Sequence, residues 1–407
     1  MRDVFPLYAL QRALAITRTS TLLDSVVELD IGKRKRDPRR IWKSNHFLFP
    51  VIFTIVRAIP AMRRLHNIHL SFIILSRTEL FTILSSPHLI HLTLHSVQIP
   101  KMSKLPPPTL RKLTLVAMPW GGALELMITQ LAASIEYLKL QWCSFRPQRW
   151  SQCPLFPCLR ELHYYQSYSS YTYRDDSMLN ALFRLGPQLA FLHLSGSFHH
   201  TRAAIFPKSL EHLSIEDGAL TNRNFGMDAL PQVKSLSLKH CREWWDPKLL
   251  PPFIRDHFPR ITSLHLNIRW PLRNIALVMA RAQYNVQSLE LRIVTEFSLD
   301  RKETESNLNH KVEIPADYLR ITPLPAPLKT LKLEVVQAHS DLGRSIAPCT
   351  GWIGYNVLPS VTGLGGPDLR SVEVWFVQPE SELVRGRLIW RQWIMLPNGD
   401  WQMEGCL

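Results

Sequence analysis

The apolar residues of this chain recur in one spacing. In the stretch IEYLKLQWC they fall at Ile135, Leu138 and Leu140, with Cys143 three places further on, which is the pattern L-x-x-L-x-L-x-x-C. One such match carries little, because Leu is common. The same stencil returns, however, at Val26, Leu65, Leu89, Leu110, Leu159, Leu189, Leu210, Val233, Ile261, Val286, Leu328 and Leu369. From Leu65 to Val286 successive starts lie 21 to 30 residues apart, a period of stacked units and not of a single globular core. Within each unit the alternation of apolar and polar positions predicts a short strand with one face buried and one face outward.

Between the strands, residues 77–84, 122–132, 175–185 and 273–283 place apolar side chains three and four apart and predict helices. Other returns, such as HHTRAAIFPKS, are short or interrupted by proline and read as loops or 3-10 turns. Prolines just ahead of strands, as in LPPPTLRKL and FPKSLEHL, stop the preceding segment and force extended backbone. Strands alternating with helices at this period define an α/β fold, a leucine-rich repeat solenoid with a parallel concave sheet and with helices and loops on the convex side. The unequal unit lengths predict an uneven curve.

The pattern also divides the chain. Residues 1–64 read as a basic helical region with the first repeat strand: LYALQRALAI has helical spacing, VVELDI carries the stencil, and HFLFPVIFTIVRAI reads as a buried helix. Residues 65–376 form the irregular array. Inside it, residues 295–326 are polar and aperiodic, and residues 336–367 hold 6 of the chain's 16 glycines, so both read as long insertions, the first exposed and open to disorder. Residues 377–407 read as a cap. Asn398-Gly399 between two aromatic-rich runs signals a hairpin, which would cover the open edge of the last repeat.

Composition changes this picture only in part. A chain of 407 residues exceeds what one core sustains, a limit that a repeat array escapes. Six cysteines at irregular spacing are too few for a disulfide framework, and the close pair Cys153 and Cys158 has no second pair to complete a zinc site. A reducing, intracellular compartment is expected, cytoplasmic or nuclear. The N-terminus lacks the charge-free apolar core of a signal peptide. HFLFPVIFTIVRAI is shorter than the about 20 residues that span a bilayer, so no membrane role is expected.

The net charge is +15, and residues 1–64 hold 13 Lys or Arg against 5 Asp or Glu, more than half of that excess. Much of it sits in KRKRDPRR, with Lys33, Arg34, Lys35, Arg36, Arg39 and Arg40. This run reads as a solvated basic loop, with a nuclear import signal or a contact for an acidic partner as the functional alternatives. It also sustains the competing reading of the whole chain as a nucleic-acid or acidic-surface binder.

The outward positions of each strand are the third and fifth of the stencil. In the middle of the array they are rich in Tyr, Phe, His and Lys, and in the later units Ser and Thr dominate. Tyr137, Lys139, His163, Tyr165, Phe191 and His193 are the candidate partner-binding residues of the concave face, because aromatic side chains on an exposed face carry much of the energy of protein interfaces. From the unit at Leu89 onward the outward Lys112, Lys139 and Lys332 balance Glu161, Glu290 and Glu373, whereas a groove that tracks phosphates is one-sidedly basic. The expected partner is therefore a protein, not a nucleic acid. No Gly-rich phosphate loop, GxSxG, HExxH or HxE with a paired CxxC occurs, so neither catalysis, a cofactor nor a metal is expected.

These residues resemble the leucine-rich repeat proteins that follow F-box domains, particularly the large fungal sets with degenerate repeats. The resemblance covers residues 26–376 and rests on the L-x-x-L-x-L units, on the phrase SSPHLIHLTLHSV and on the two matches ending at Cys143 and Cys241. It implies that those two cysteines bond backbone at the turn leaving the strand. Val97, Met118, Ser197 and Gly218 replace such a residue elsewhere, so the array should be less regular. The resemblance also implies that the repeats hold a substrate for a cullin-type ubiquitin ligase, with a ligase adaptor as a partner if an F-box lies upstream. Only 25 residues precede VVELDI, and FPLYALQRALAI resembles at most the helix that follows such a box. Either sequence is missing upstream or the chain is a repeat-only relative.

Overall fold

The computed structural model describes residues 14–15, 18–32, 49–102, 104–106, 109–118, 121–143, 155–165, 183–184, 186–196, 206–216, 230–239, 250–267, 286–295, 328–337, 369–377, 387–395 and 401–404. It forms two compact units, Met1–Gly196 with Ala204–Leu210, and Ser197–Ala203 with Glu211–Leu407. The chain is an α/β leucine-rich repeat solenoid, in which every stencil with described residues lies on a strand.

In the first unit the strands are β1 (Glu28–Gly32), β2 (Asn67–Ser71), β3 (His91–His95), β4 (Lys112–Val116), β5 (Tyr137–Gln141), β6 (Glu161–Tyr165) and β7 (Phe191–Ser195). They pair in sequence order, all parallel and without a slip: Asn67 faces His91, His91 faces Lys112, Lys112 faces Tyr137, Tyr137 faces Glu161 and Glu161 faces Phe191. Each stencil leucine therefore stacks on its counterpart. Leu92, Leu94, Leu113, Leu115, Leu138 and Leu140 are completely buried.

The register has a local cause at the start of each strand. One carbonyl of the preceding unit accepts two successive amides of the next: Ile90 O from Arg111 and Lys112, Arg111 O from Glu136 and Tyr137, Glu136 O from Arg160 and Glu161, and Arg160 O from Ala190 and Phe191. Threonine and serine hydroxyls just ahead of the stencil add to this. Thr109 Oγ1 donates to Ser86 O and Leu89 O, and Ser209 Oγ donates to Pro187 O and Leu189 O.

At the other end of the strands the structure shows a turn that the stencil does not announce. Phe72, Ser96, Ala117 and Trp142, each the residue after a strand, adopt left-handed backbone with φ of 55°, 50°, 48° and 53°, and Gly196 takes the same place with φ of 122°. The amides of the first four donate to the last strand carbonyl of the next unit, His95, Val116, Gln141 and Tyr165. The following residue, Ile73, Val97, Met118 or Cys143, is buried. Lower regularity was expected wherever Asn or Cys is missing here. Across these units the turn is the same with Val97 or Met118 as with Cys143, because the neighbouring backbone satisfies the turn and only an apolar plug is needed behind it.

Helices lie between several strands. α1 (Ser20–Ser25) precedes β1; α2 (Phe49–Ala58) continues into a 3-10 turn, Ile59–Ala61. α2 buries Ile52 and Val56, half-covers Val51, Phe53 and Ile55 and leaves Pro50 and Arg57 exposed, so the helix expected to be buried is buried in part. α3 (Arg77–Leu84) and α4 (Gly122–Leu131) stand where the periodicity predicts them. α3 opens on a capping box in which Ser76 N donates to Glu79 Oε2 at 2.7 Å and Glu79 N to Ser76 Oγ at 3.2 Å. Of the helix expected over 175–185 only Phe183 and Arg184 are described, and they are helical; the helix over 273–283 and most of both long insertions lie outside the described residues.

The second unit carries β8 (His212–Glu216), β9 (Ser235–Lys239), β10 (Ser263–Asn267), β11 (Ser288–Thr295), β12 (Thr330–Gln337) and β13 (Ser371–Val377), parallel and in register. Between β9 and β10 stands α5 (Leu250–His257), which buries Phe253 and Ile254. The periodicity reading named no helix here, and Pro251 and Pro252 do not prevent one because both occupy the first turn, where an amide has no partner within the helix anyway. β14 (Arg387–Met395) pairs antiparallel with β13, and β15 (Trp401–Glu404) pairs antiparallel with β14. The expected hairpin is thus present and covers the edge of β13.

The left-handed turn gives a test with two signs. An L-residue there costs about 1–2 kcal/mol, so Ala117→Gly should stabilise the protein by up to about 1 kcal/mol once the extra freedom of the unfolded glycine is subtracted. Gly196→Ala, at φ 122°, should destabilise it by roughly 1–3 kcal/mol. Thermal melts of the two variants check this, and a loss in both would contradict the account of the turn.

Candidate functional site

The outward positions of β5, β6 and β7 bring all six candidate residues into one cluster. Tyr137 lies 5.1 Å from His163 between ring centroids, His163 lies 5.1 Å from Phe191 in a stacked arrangement and 5.4 Å from His193, and Tyr165 lies 4.8 Å from His193. Lys139 Nζ stands 4.9 Å from the centre of the Tyr165 ring, within reach of a cation–π contact. In-register pairing is the cause. Neighbouring strands are about 4.8 Å apart, so His163 and His193, at equal stencil positions, must meet, and the diagonal pairs Tyr137 with His163, His163 with Phe191 and Tyr165 with His193, each two residues off register, remain within reach of their rings.

Two residues outside the expected set join the cluster. His163 Nε2 donates to Glu161 Oε1 at 2.7 Å, and His91 lies edge-on to Tyr137 at 6.2 Å. His91 Nε2 also shares a hydrogen bond with Thr114 Oγ1 at 3.0 Å. Both were visible as outward residues; Glu161 meets His163 along its own strand, and the register between strands brings His91 to Thr114 and Tyr137.

Exposure departs from expectation at two places in this unit. His193 was expected to face solvent, and only 4% of it is accessible, because the rings of His163 and Tyr165 lie over it. Thr114, also in an outward column, is buried beneath His91. Tyr137, Lys139, His163, Tyr165 and Phe191 remain half-buried. Trp142, at the turn that ends β5, is 47% exposed.

The cluster shifts its own titrations. Burial, followed by the charge of Glu161 and the neighbouring Tyr165, pushes the Tyr137 hydroxyl up to about 12. Burial lowers His163, outweighing the hydrogen bond to Glu161 that raises it. Burial and then the Lys112 ammonium lower His91. At neutral pH both imidazoles are therefore uncharged and present aromatic, hydrogen-bonding surface.

In the second unit the outward residues of β10, β11 and β12 form a charged triad. His265 Nδ1 donates to Glu290 Oε2 at 3.0 Å and Lys332 Nζ to Glu290 Oε1 at 2.9 Å. Burial alone would raise the Glu290 carboxyl, but these two bonds and charges prevail and hold it down at about 2. The outward residues beside this triad are mainly Ser and Thr, as expected.

Cys143 does what its position implies. Its thiol is buried and donates to Leu115 O and Gln141 O, each at 3.4 Å. Burial pushes it up to about 11. Cys241, the basic run Lys33, Arg34, Lys35, Arg36, Arg39 and Arg40, and His199 and His200 lie outside the described residues. Among the described residues no three His, Cys, Asp or Glu are gathered closely enough to hold a metal ion, and no helix is long and apolar enough to cross a membrane. No family model matches the chain, and no curated protein matches it.

Two measurements follow from these titrations. The folded-state carboxyl of Glu290 lies below its unfolded value, so its contribution to stability is complete above about pH 4.5 and is lost as the pH falls towards 2. Screening at this partly exposed site reduces it to about 1–2 kcal/mol. Glu290→Gln should flatten the fall in melting temperature over that window, and an unchanged acid slope would contradict the triad. For the thiols, alkylation of the folded protein near neutral pH should label exposed Cys158 and spare Cys143, whose thiolate is roughly a hundredfold scarcer than that of an ordinary cysteine. Peptide mass mapping reads the difference, and urea should abolish it.

Proposed function

We propose that the chain is a non-catalytic protein-recognition scaffold whose partner docks on the outward face of β5, β6 and β7. The observation that supports this most is the cluster itself: Tyr137, His163, Tyr165 and Phe191 stay half-buried on the outward face of the sheet among the described residues. Flat rings held rigid by a sheet offer large contact area at small entropic cost, which is what interface hot spots require. The leucines and Cys143 serve the scaffold alone.

The resemblance to F-box-associated repeat proteins gives this reading its finer form, the substrate-recognition arm of a cullin-type ubiquitin ligase inside the cell, in the cytoplasm or nucleus. Two free thiols at Cys143 and Cys158 agree with a reducing compartment. The competing reading, a nucleic-acid or acidic-surface binder acting through residues 1–64, draws on the 13 basic residues there.

Affinity capture with the tagged full chain separates the two. Proteins that bind the cluster should be recovered by the wild type and lost, by about tenfold or more, from the Tyr137→Ala, Phe191→Ala double variant, with weak dependence on salt. Recovery of a cullin adaptor would establish the ligase form. Capture that ignores the double variant but collapses by orders of magnitude at moderate salt would overturn the scaffold reading in favour of the basic region.

A further inference from the structure

Lysines and glutamates balance over the outward columns from β3 onward, yet between β2 and β5 the face carries cations alone. The outward positions of β2 to β5 carry Lys112 and Lys139, beside the imidazoles of His69, His91 and His95, and not one carboxylate. Two of the nearest acids are engaged, and the other two, Glu28 and Asp30, lie on β1, with Asp30 the in-register neighbour of His69. Glu161 on β6 accepts from His163 at 2.7 Å, and Glu136, at the entrance to β5, accepts from Arg111 Nη1 at 2.9 Å. Glu28 on β1 lies two strands from His91 and acts on it only through its charge. Lys112 is exposed and forms no hydrogen bond or ion pair among the described residues.

Lys112 also has a defined place. It is the in-register neighbour of Tyr137, which leads through His163 to Phe191. A cation with no partner among the described residues therefore stands at one end of the aromatic row. Because the row runs across strands about 4.8 Å apart, the distance from Lys112 to Phe191 is three strand spacings, roughly 14 Å, which an extended peptide covers in about four residues.

We propose that the partner's docking segment is an acidic peptide with an aromatic or large apolar side chain two to four residues from its carboxylate. The inference rests on the protein-recognition reading above and names the chemistry of its partner. The carboxylate pairs with Lys112, with Lys139 close behind, and the ring lies along Tyr137, His163 and Phe191. Complementary charge selects the partner and the register in which it docks. Two lysines over four strands are too few to follow a phosphate backbone, which gains its affinity from many cations at once, so a peptide fits better than a nucleic acid.

Fluorescence anisotropy with the full-length chain tests this, using labelled poly(Glu,Tyr) copolymer, poly-Glu and single-stranded oligo(dT) as probes. Three variants are compared after circular dichroism confirms that each is folded: Lys112→Glu, Tyr137→Ala, and replacement of Lys33, Arg34, Lys35, Arg36, Arg39 and Arg40 by Gln. The expected result is tighter binding of the copolymer than of poly-Glu. Lys112→Glu should weaken copolymer binding by about three- to tenfold, Tyr137→Ala should bring it to the level of poly-Glu, and the Gln variant should keep the preference. Copolymer binding that Tyr137→Ala weakens and Lys112→Glu leaves unchanged would overturn the acidic-partner inference while the recognition face stands. Binding that neither variant changes would remove both. Displacement of the copolymer by oligo(dT) that depends on Lys112 would assign the face to nucleic acid instead.

Discussion

A five-residue strand with two buried leucines cannot stand alone. Its apolar side is covered only when an identical strand lies on each flank, and that mutual burial is the constraint from which the rest of the structure follows. It demands that leucine meet leucine, so the pairing cannot slip: a shift of one residue would turn every apolar side chain outward. The carbonyl shared by two amides at the start of each strand and the left-handed turn at its end hold the same register from the backbone side. Connections of very different length are tolerated because they lie between these fixed points.

The same register creates the face. Side chains at equal stencil positions on neighbouring strands are brought together whatever they are, since the leucines beneath them decide the alignment. Diagonal neighbours are held close by the same alignment, so the rings of Tyr137, His163 and Phe191, two residues off register at each step, form a row without any requirement that they attract one another. Their proximity then has chemical consequences: a tyrosine hydroxyl raised to about 12, histidines kept neutral, and His193 covered by its neighbours. In the second unit the same alignment sets Glu290 between His265 and Lys332.

The stencil made the strands, their parallel order and the outward columns legible, because these depend on spacing within a few residues. Residues whose role depends on a neighbour one repeat away were less legible. Glu161 and Lys112 look alike in a list of outward charges; the structure binds Glu161 to His163 along its own strand and gives Lys112 no partner among the described residues. His193 was expected outside because its position alternates correctly, and its burial comes from rings on another strand. The left-handed turns were hidden for a different reason. Four of them use Phe72, Ser96, Ala117 and Trp142, not glycine, and a backbone cost repaid by bonds to the adjacent unit leaves no mark on composition. The periodicity did not name α5, whose first turn accommodates both prolines.

Since everything on the face depends on register, the most direct measurement is of register itself. Thr93 and Thr114 are matched on β3 and β4, whereas Thr93 and Lys112 are offset by two residues. Matched positions on adjacent strands are about 4.8 Å apart, inside the span of a disulfide, and the offset pair lies beyond about 7 Å. The Thr93→Cys, Thr114→Cys protein should close a disulfide readily under mild oxidation, quantified by peptide mass mapping, and the Thr93→Cys, Lys112→Cys protein should not. Equal closure in both, or closure of the offset pair alone, would contradict the alignment that assembles the face.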